Sequence, residues 1–195
     1  MLVPLTDGGK VDVERRSVTR EEGDVTFTLA GSAWKGEPAW LEEVVTPVYA
    51  IVENRGTIPI TIGYGDLVIL DAERVQYPAL SPETVASRVR SLGRSYAPGP
   101  PSGFYVGGFG WRSYWGSPFW PWWYEPWPIL PNVSEIFSQA LPVGSVRPNA
   151  RFQGFIYFTH LPKAASRVTI SIGYERSGEA GRREVSFPFV IQEKN

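Results

Sequence analysis

Three segments of the chain alternate apolar and polar residues with a period of two. They are residues 25–29, 168–174 and 185–191, in which Val, Phe, Ile and Tyr are separated mainly by Thr and Ser. Successive side chains of an extended strand point to opposite faces, so each segment has one apolar and one polar face. The pattern predicts antiparallel strands that pack on one side.

Three further segments predict more deeply buried strands. Residues 44–53 are rich in β-branched residues and end at a predicted turn over residues 54–56. Residues 58–70 are interrupted by the glycines of the run 63–65, which predict a bend or bulge. Residues 152–159 carry aromatic side chains on both faces.

Residues 11–18, with a less regular pattern, bring the predicted strands to about seven. Two short helices are expected: residues 81–92, where Ser81 caps the helix and Pro82 takes its first position, and residues 134–141. Apolar strand faces with so little helix to cover them favour two packed sheets. The sequence therefore predicts an all-β fold, an immunoglobulin-like antiparallel β-sandwich.

Residues 98–131 are predicted to form a Pro/Gly/Trp-rich insertion loop within a single domain spanning residues 1–195. Between residues 104 and 127, twelve of twenty-four residues are aromatic, and six of the eight tryptophans of the chain lie there. Frequent glycine and proline prevent a regular helix or strand. Long loops in compact domains are usually functional or disordered, and disordered segments are poor in aromatic residues. We therefore expect this loop to be functional.

Four roles for the loop stay open. Its rings can fold back over the sandwich, enter the headgroup boundary of a membrane, dock onto another protein, or stack on sugars. Sugar stacking usually uses a few rings with polar neighbours, so this apolar loop favours a protein or lipid partner. The predicted partner- or membrane-binding residues are Phe109, Trp111, Tyr114, Trp115, Phe119, Trp120, Trp122, Trp123, Tyr124 and Trp127.

Composition argues against several classes of partner. Lys and Arg (19) nearly balance Asp and Glu (20), which argues against nucleic acid. The chain has no cysteine, which excludes disulfides and thiolate metal sites. The spacing of Asp66, Asp71 and Glu73 fits no calcium-loop motif, and Gly107–Gly110 fits no phosphate loop. We expect no cofactor and no metal, and nothing indicates a small-molecule ligand.

The residues available for catalysis are few. His160 is the only histidine and lies where a strand is expected to end. Glu42, Glu43 and Glu125 are the acids that could form a carboxylate pair. We expect His160 to be a partly exposed turn residue and these acids to be surface charges, so the chain is predicted not to be an enzyme.

Four stretches of the chain, Pro47–Asn54, Leu70–Asp71, Tyr77–Glu83 and Gly154–Phe158, carry a family resemblance. Over residues 44–175 the chain resembles bacterial extracytoplasmic immunoglobulin-like domains. Many of these are lipoproteins of unknown role with a Gly/Tyr/Trp-rich stretch between the two blocks. The resemblance implies a β-sandwich in the cell envelope, periplasmic or associated with the outer membrane. The chain departs from the pattern in having no apolar segment after Met1 and no lipobox cysteine.

Within the resemblance, Asn54 closes the turn after an inner strand and residues 81–92 form a helix beside the sandwich. Phe155, Tyr157 and Phe158 supply core and rim, and no position carries chemistry. The expected function is a non-catalytic accessory or scaffolding subunit of a cell-envelope assembly. It would dock through the Trp-rich loop onto subunits of a membrane-associated complex or onto the lipid interface. The alternative is a carbohydrate-binding module that uses the same loop.

Overall fold

β-Strands form most of the chain that the structure describes. The computed structural model describes residues 2–5, 9–95, 131–162 and 166–192. The strands are β1 (Leu2–Pro4), β2 (Lys10–Asp12), β3 (Ser17–Glu22), β4 (Val25–Gly31), β5 (Val45–Asn54), β6 (Ile60–Ile62), β7 (Leu67–Asp71), β8 (Gln76–Leu80), β9 (Gly144–Val146), β10 (Ala150–Thr159), β11 (Arg167–Arg176) and β12 (Arg182–Ile191). Helix α1 spans Pro82–Ser95, helix α2 spans Ser134–Ser138, and 3₁₀ turns lie at Leu41–Glu43 and Tyr64–Asp66.

The strands form one antiparallel sheet that curls until its two ends approach each other. The order is β1–β12–β11–β7–β8–β10–β5–β4–β3–β2, with β6 paired to β11 and β9 paired to β6. At the first end of this path, β1 also contacts β3 and β4 from the other end. The sheet is therefore barrel-like and nearly closed.

Strand β8 carries the sheet from one layer to the other. Residues 76–78 pair with β7, and residues 79–80 pair with β10. Strands that change partners in this way form the corners of curled sheets. Helix α1 follows at once, and Ser81 Oγ accepts a hydrogen bond from the backbone N–H of Thr84 at 3.3 Å, as expected for a helix cap.

The main core fills the space inside the curled sheet. It joins the apolar faces of β3, β4, β5 and β10 to those of β7, β11 and β12. Its largest fully buried side chains are Phe27, Phe158, Tyr174, Phe187 and Phe189. The alternating residues predicted from the sequence supply ten of the 24 buried residues of this core.

A second, smaller core lies on the outer face of β10, beneath the helices. The side chains of Ile156 and Phe158 belong to the main core, whereas those of Phe155 and Tyr157 belong to the second. Strand β10 therefore buries both of its faces over residues 154–158, which explains the absence of polar residues there, whereas Arg151 and Gln153 in its first half are exposed.

The structure confirms the all-β class and most predicted elements. Five predicted strands correspond to β4, β5, β10, β11 and β12, and residues 58–70 divide into β6 and β7 at the predicted bend. Both predicted helices are present, although α2 ends at Ser138 rather than near residue 141. The single strand predicted over residues 11–18 is wrong, because β2 ends at Asp12 and β3 begins only at Ser17.

The described residues form twelve strands rather than about seven. Four of them, β1, β2, β6 and β9, are only three residues long, which is too short for a period of two to stand out. Strand β8 contains Pro78, which weakens its sequence signal for a strand. The long strands were predictable, and the short ones depend on neighbours that are distant in sequence.

Two contacts link the layers at the nearly closed side of the sheet. Arg176 of β11 forms an ion pair with Asp24, which lies between β3 and β4. Arg20 of β3 donates a hydrogen bond from Nη1 to the carbonyl oxygen of Ser186 in β12 at 2.6 Å, and its guanidinium lies 5.9 Å from the ring centroid of Phe187. These side-chain contacts join strands of the described sheet that are not paired by backbone hydrogen bonds.

Asn54, at the end of β5, is a fully buried polar residue. Its side-chain amide donates to the carbonyl oxygens of Ile58 at 2.9 Å and Val146 at 3.1 Å. Its Oδ1 accepts from the backbone N–H of Gly56 at 3.0 Å. Asn54 thus closes the turn after β5, as the resemblance implies, and also fastens that turn to β9.

Replacing Asn54 with alanine is expected to lower the free energy of unfolding by about 3 kcal/mol, because two carbonyls and one N–H lose their buried partner. Urea unfolding followed by tryptophan fluorescence measures the loss. Asn132→Ala is the control, since Asn132 is exposed and accepts only from Ser134 at the start of α2. The control should lose about 1 kcal/mol or less. Equal losses would show that Asn54 does not fasten the turn.

Candidate functional site

The Trp-rich insertion is attached to the fold by the two helices. Helix α1 leads into it and α2 follows it. Residues 96–130 lie outside the described residues, and so do all ten predicted binding residues from Phe109 to Trp127. Of the predicted loop 98–131, only Pro131 is described. The candidate site is therefore built here from the residues that hold the ends of the insertion.

The two ends of the insertion meet. Gly93 lies in the last turn of α1, and a Cβ atom added to it would lie 2.6 Å from Cδ of Pro131. Such closeness leaves no room for a side chain, so a glycine is required for the approach. We call this contact between Gly93 and Pro131 the stem of the insertion.

The helices that carry the stem pack against the second core. Val85, Ala86 and Val89 of α1 are buried in that core, and Ile136 of α2 joins them. Their spacing along α1 places them on one face of the helix. We call α1, α2 and the outer face of β10 beneath them the helical platform.

Trp34 fills the centre of the helical platform. Its ring lies edge-on to Phe155 at 5.0 Å and to Tyr157 at 6.1 Å between centroids. Its indole N–H donates to the carbonyl oxygen of Pro38 at 3.1 Å, so the buried polar atom is satisfied. Aromatic pairs at these separations stabilise a core beyond the area that they bury.

Hydrogen bonds fasten α2 to β10. The Tyr157 hydroxyl donates to the carbonyl oxygen of Ile136 at 3.0 Å. The backbone N–H of Phe155 donates to Gln139 at 2.7 Å, and the N–H of Leu141 donates to Phe155 at 2.9 Å. The second end of the insertion is therefore attached to the central sheet by main-chain bonds as well as by packing.

Burial raises the pKa of the Tyr157 hydroxyl well above its ordinary value of 10.0, and the nearby Tyr64 adds to the shift. The phenolate form has no room for solvation beneath the platform. Tyr157 is thus a neutral structural donor throughout the physiological range. It carries no proton-transfer role.

Two exposed apolar residues lie on the helices that carry the insertion. Leu92 continues the apolar face of Val85 and Val89, yet it is 41% exposed, and Phe137 of α2 is 43% exposed. The other large exposed apolar residues of the described chain are Val13, Val75 and Val143, all outside the helices. The helices that carry the aromatic insertion therefore also carry exposed apolar surface.

A separate cleft of about 790 Å³ opens at one end of the curled sheet. It lies where β4, β10 and β12 end and where β1 and β5 begin. Its polar lining consists of Ser32, Glu42, Glu43, Thr46, His160 and Gln192. Trp40 lies in its wall and also packs against the second core, so the cleft adjoins the platform.

The structure brings His160 to the same cleft as Glu42 and Glu43. His160 is an exposed residue just after β10, as predicted. No side-chain hydrogen bond or ion pair joins any of the three to another described residue. Glu125 lies outside the described residues.

Two of the three acids considered for calcium, Asp66 and Asp71, have other partners. Asp66 pairs with Arg182 at 2.9 Å. Asp71 accepts hydrogen bonds in its own turn, from the backbone N–H groups of Glu73 and Val75 and from the Tyr77 hydroxyl at 3.0 Å. Within the described ranges, no group of three or more His, Cys, Asp or Glu residues is placed to hold a metal ion.

Comparison with known proteins finds little. No family model matches the chain, and no curated protein matches it. Among solved structures, it is similar to YcdA, a candidate lipoprotein of Bacillus subtilis, at 11% identity and a TM-score of 0.42. The match covers 87% of this chain, which spans 38% of the length of YcdA. None of the helices in the described residues is long and apolar enough to cross a membrane.

Gly93→Ala tests the stem. Alanine favours a helix by about 1 kcal/mol over glycine, but here its Cβ would collide with the ring of Pro131. We therefore expect a net loss of stability of about 1–3 kcal/mol, as for other overpacked sites. The control is Gly65→Ala, where an added Cβ meets nothing within 4 Å. A Gly93→Ala protein more stable than the wild type would show that the ends do not meet.

Tyr157→Phe tests the attachment of α2. At pH 7 it should cost about 1 kcal/mol, because the buried carbonyl of Ile136 loses its donor. Because folding raises the pKa of Tyr157, its contribution to stability is complete below pH 10 and is lost as the pH rises further. Urea midpoints at pH 7 and pH 11 should therefore differ less in the variant than in the wild type. An equal difference would contradict the burial of the hydroxyl.

Proposed function

We propose that the protein is a non-catalytic accessory or scaffolding subunit of a cell-envelope assembly. It docks onto a membrane-associated protein complex or onto the membrane interface through its Trp-rich loop. The observation that carries the proposal is the stem, where Gly93 and Pro131 hold both ends of an aromatic insertion on the helical platform. A loop held at both ends on a rigid support suits presentation to a partner better than catalysis.

The composition of the insertion supports an apolar partner. Six tryptophans within residues 104–127 supply large ring surfaces that dominate protein interfaces and prefer the membrane headgroup boundary. Only Arg112 and Glu125 in that range are charged. Binding driven by such a surface should depend little on ionic strength, unlike binding through Lys and Arg.

The described surface of the two helices is apolar in part, like the insertion that they carry. Leu92 and Phe137 add exposed apolar area on the helices that hold the insertion. Exposed apolar residues grouped in this way often mark an interaction surface, whereas scattered ones do not. The proposed contact surface is therefore the insertion together with the adjoining part of the helical platform.

The proposal includes an extracytoplasmic location, periplasmic or at the outer membrane, and an immunoglobulin-like arrangement of the curled sheet. Two facing layers around one core support that arrangement. The four stretches that resemble extracytoplasmic lipoprotein domains support the location. The sandwich then serves as a rigid base for the insertion.

The first test is flotation with phosphatidylcholine liposomes at low and high salt. The intact protein should float under both conditions, whereas a variant with residues 104–128 replaced by a Gly/Ser linker should remain at the bottom while still unfolding cooperatively. If neither protein floats, the membrane-interface form of the proposal fails. Soluble sugars that shift tryptophan emission would favour the carbohydrate-binding alternative instead.

The platform itself can be tested with the loop intact. Leu92→Ser combined with Phe137→Ser should reduce flotation several-fold, because the change removes apolar area next to the stem. Val13→Ser is the matched control, since Val13 is 81% exposed in the turn between β2 and β3. An equal reduction by the control would remove the platform from the proposed surface.

A further inference from the structure

The cleft at the end of the sheet has a negative lining. Glu42 and Glu43 both lie on it, and no lysine or arginine does so among the described residues. His160 is the remaining titratable residue on the described lining. The cleft is therefore complementary to a cation.

These two carboxylates lack the arginine partner that several other acids of the described chain have. Asp24, Asp66 and Glu53 each have an arginine partner. Neither Glu42 nor Glu43 has an ion pair or side-chain hydrogen bond with another described residue. Their charges are available to something that enters the cleft.

The carboxylates are carried on a fixed support. The 3₁₀ turn places Leu41 fully inside the second core, while Glu42 and Glu43 stay at the cleft. Backbone hydrogen bonds close the turn, from Leu41 to Pro38 at 3.0 Å and from Val44 to Leu41 at 3.0 Å. Holding the acids in place before binding reduces the entropy lost on binding.

The opposite rim of the cleft is also fixed. Thr46 Oγ1 accepts a hydrogen bond from the backbone N–H of Leu161 at 3.2 Å, which joins the start of β5 to the segment after β10. Leu161 and Pro47 give this side an aliphatic surface, and Trp40 supplies an indole. An aliphatic chain can lie against such a wall, and an indole face attracts cations.

We propose that this cleft binds an alkylammonium group, a primary amine at the end of a short aliphatic chain. The amine lies between the carboxylates of Glu42 and Glu43, and the chain lies against Trp40, Pro47 and Leu161. Such a group can come from a free diamine or from a lysine side chain of a polypeptide. The proposal does not depend on the proposed docking function.

The other ligand classes fit less well. An anion finds no described lysine or arginine on the lining. A metal ion needs closely placed ligands, and Glu42, Glu43 and His160 do not form such a group in the described chain. The volume of about 790 Å³ lies within the range of small-molecule sites, which occur at the mouths of β-barrels.

Isothermal titration of the full chain tests the proposal with 1,5-diaminopentane and Nα-acetyl-lysine amide as probes. The neutral 1,5-pentanediol and methyl glucoside serve as comparison ligands. The combined variant Glu42→Gln and Glu43→Gln keeps the shape of the cleft and removes its charge. The control is Glu184→Gln, an exposed acid on β12 away from the lining.

At least one amine should bind, with an affinity about tenfold lower in the double glutamine variant and unchanged in the control. Binding of both amines indicates that the group itself is recognised. Binding of the lysine derivative alone indicates a polypeptide source, and binding of the diamine alone indicates a free amine. No heat with either amine, equal affinity in the double variant, or tighter binding of the diol or the glucoside would overturn the proposal.

Discussion

The antiparallel ladder between β5 and β10 supports both cores. It pairs ten residues on each strand, from Ala150 opposite Asn54 to Thr159 opposite Val45. The inner face of this wall belongs to the main core, and its outer face carries the helices and Trp34. Antiparallel sheets commonly leave one face in water, but here both faces are buried over residues 154–158 of β10. The platform, the stem and the wall of the cleft all take their positions from this one pair of strands.

Much of the fold was predictable from local sequence pattern, because a strand with one solvent-exposed face alternates apolar and polar residues. Phe27 and Ile170 lie at the predicted apolar positions and are fully buried. Strand β10 was identified from its aromatic content, although sequence alone could not show that a second core covers Phe155. Strands β1, β2, β8 and β9 were missed because their pairing depends on partners elsewhere in the chain. Asn54 was placed in a turn, but its bond to Val146, 92 residues away, could not be foreseen.

The candidate sites, like the fold, were predictable from the sequence only in part. The aromatic insertion is visible from composition alone, and its flanking helices were predicted. The stem was not, because nothing local to Gly93 indicates that Pro131 lies against it. The cleft is assembled from Trp40, the adjoining glutamates and His160, which come together only when β5 and β10 pair. His160 and the glutamates were considered as separate candidates, Trp40 was not considered, and no spacing rule joins residues on different elements.

The contact between Gly93 and Pro131 affects how the sequence of such a chain can change during evolution. Because the two anchoring residues are in contact, residues can be added to or removed from the segment between them without moving a strand. Each doubling of a flexible loop costs only about 0.6 kcal/mol in closure entropy. The insertion can therefore vary in length and composition almost independently of the sandwich. One scaffold could then serve different partners by exchanging the segment between the same two anchoring residues.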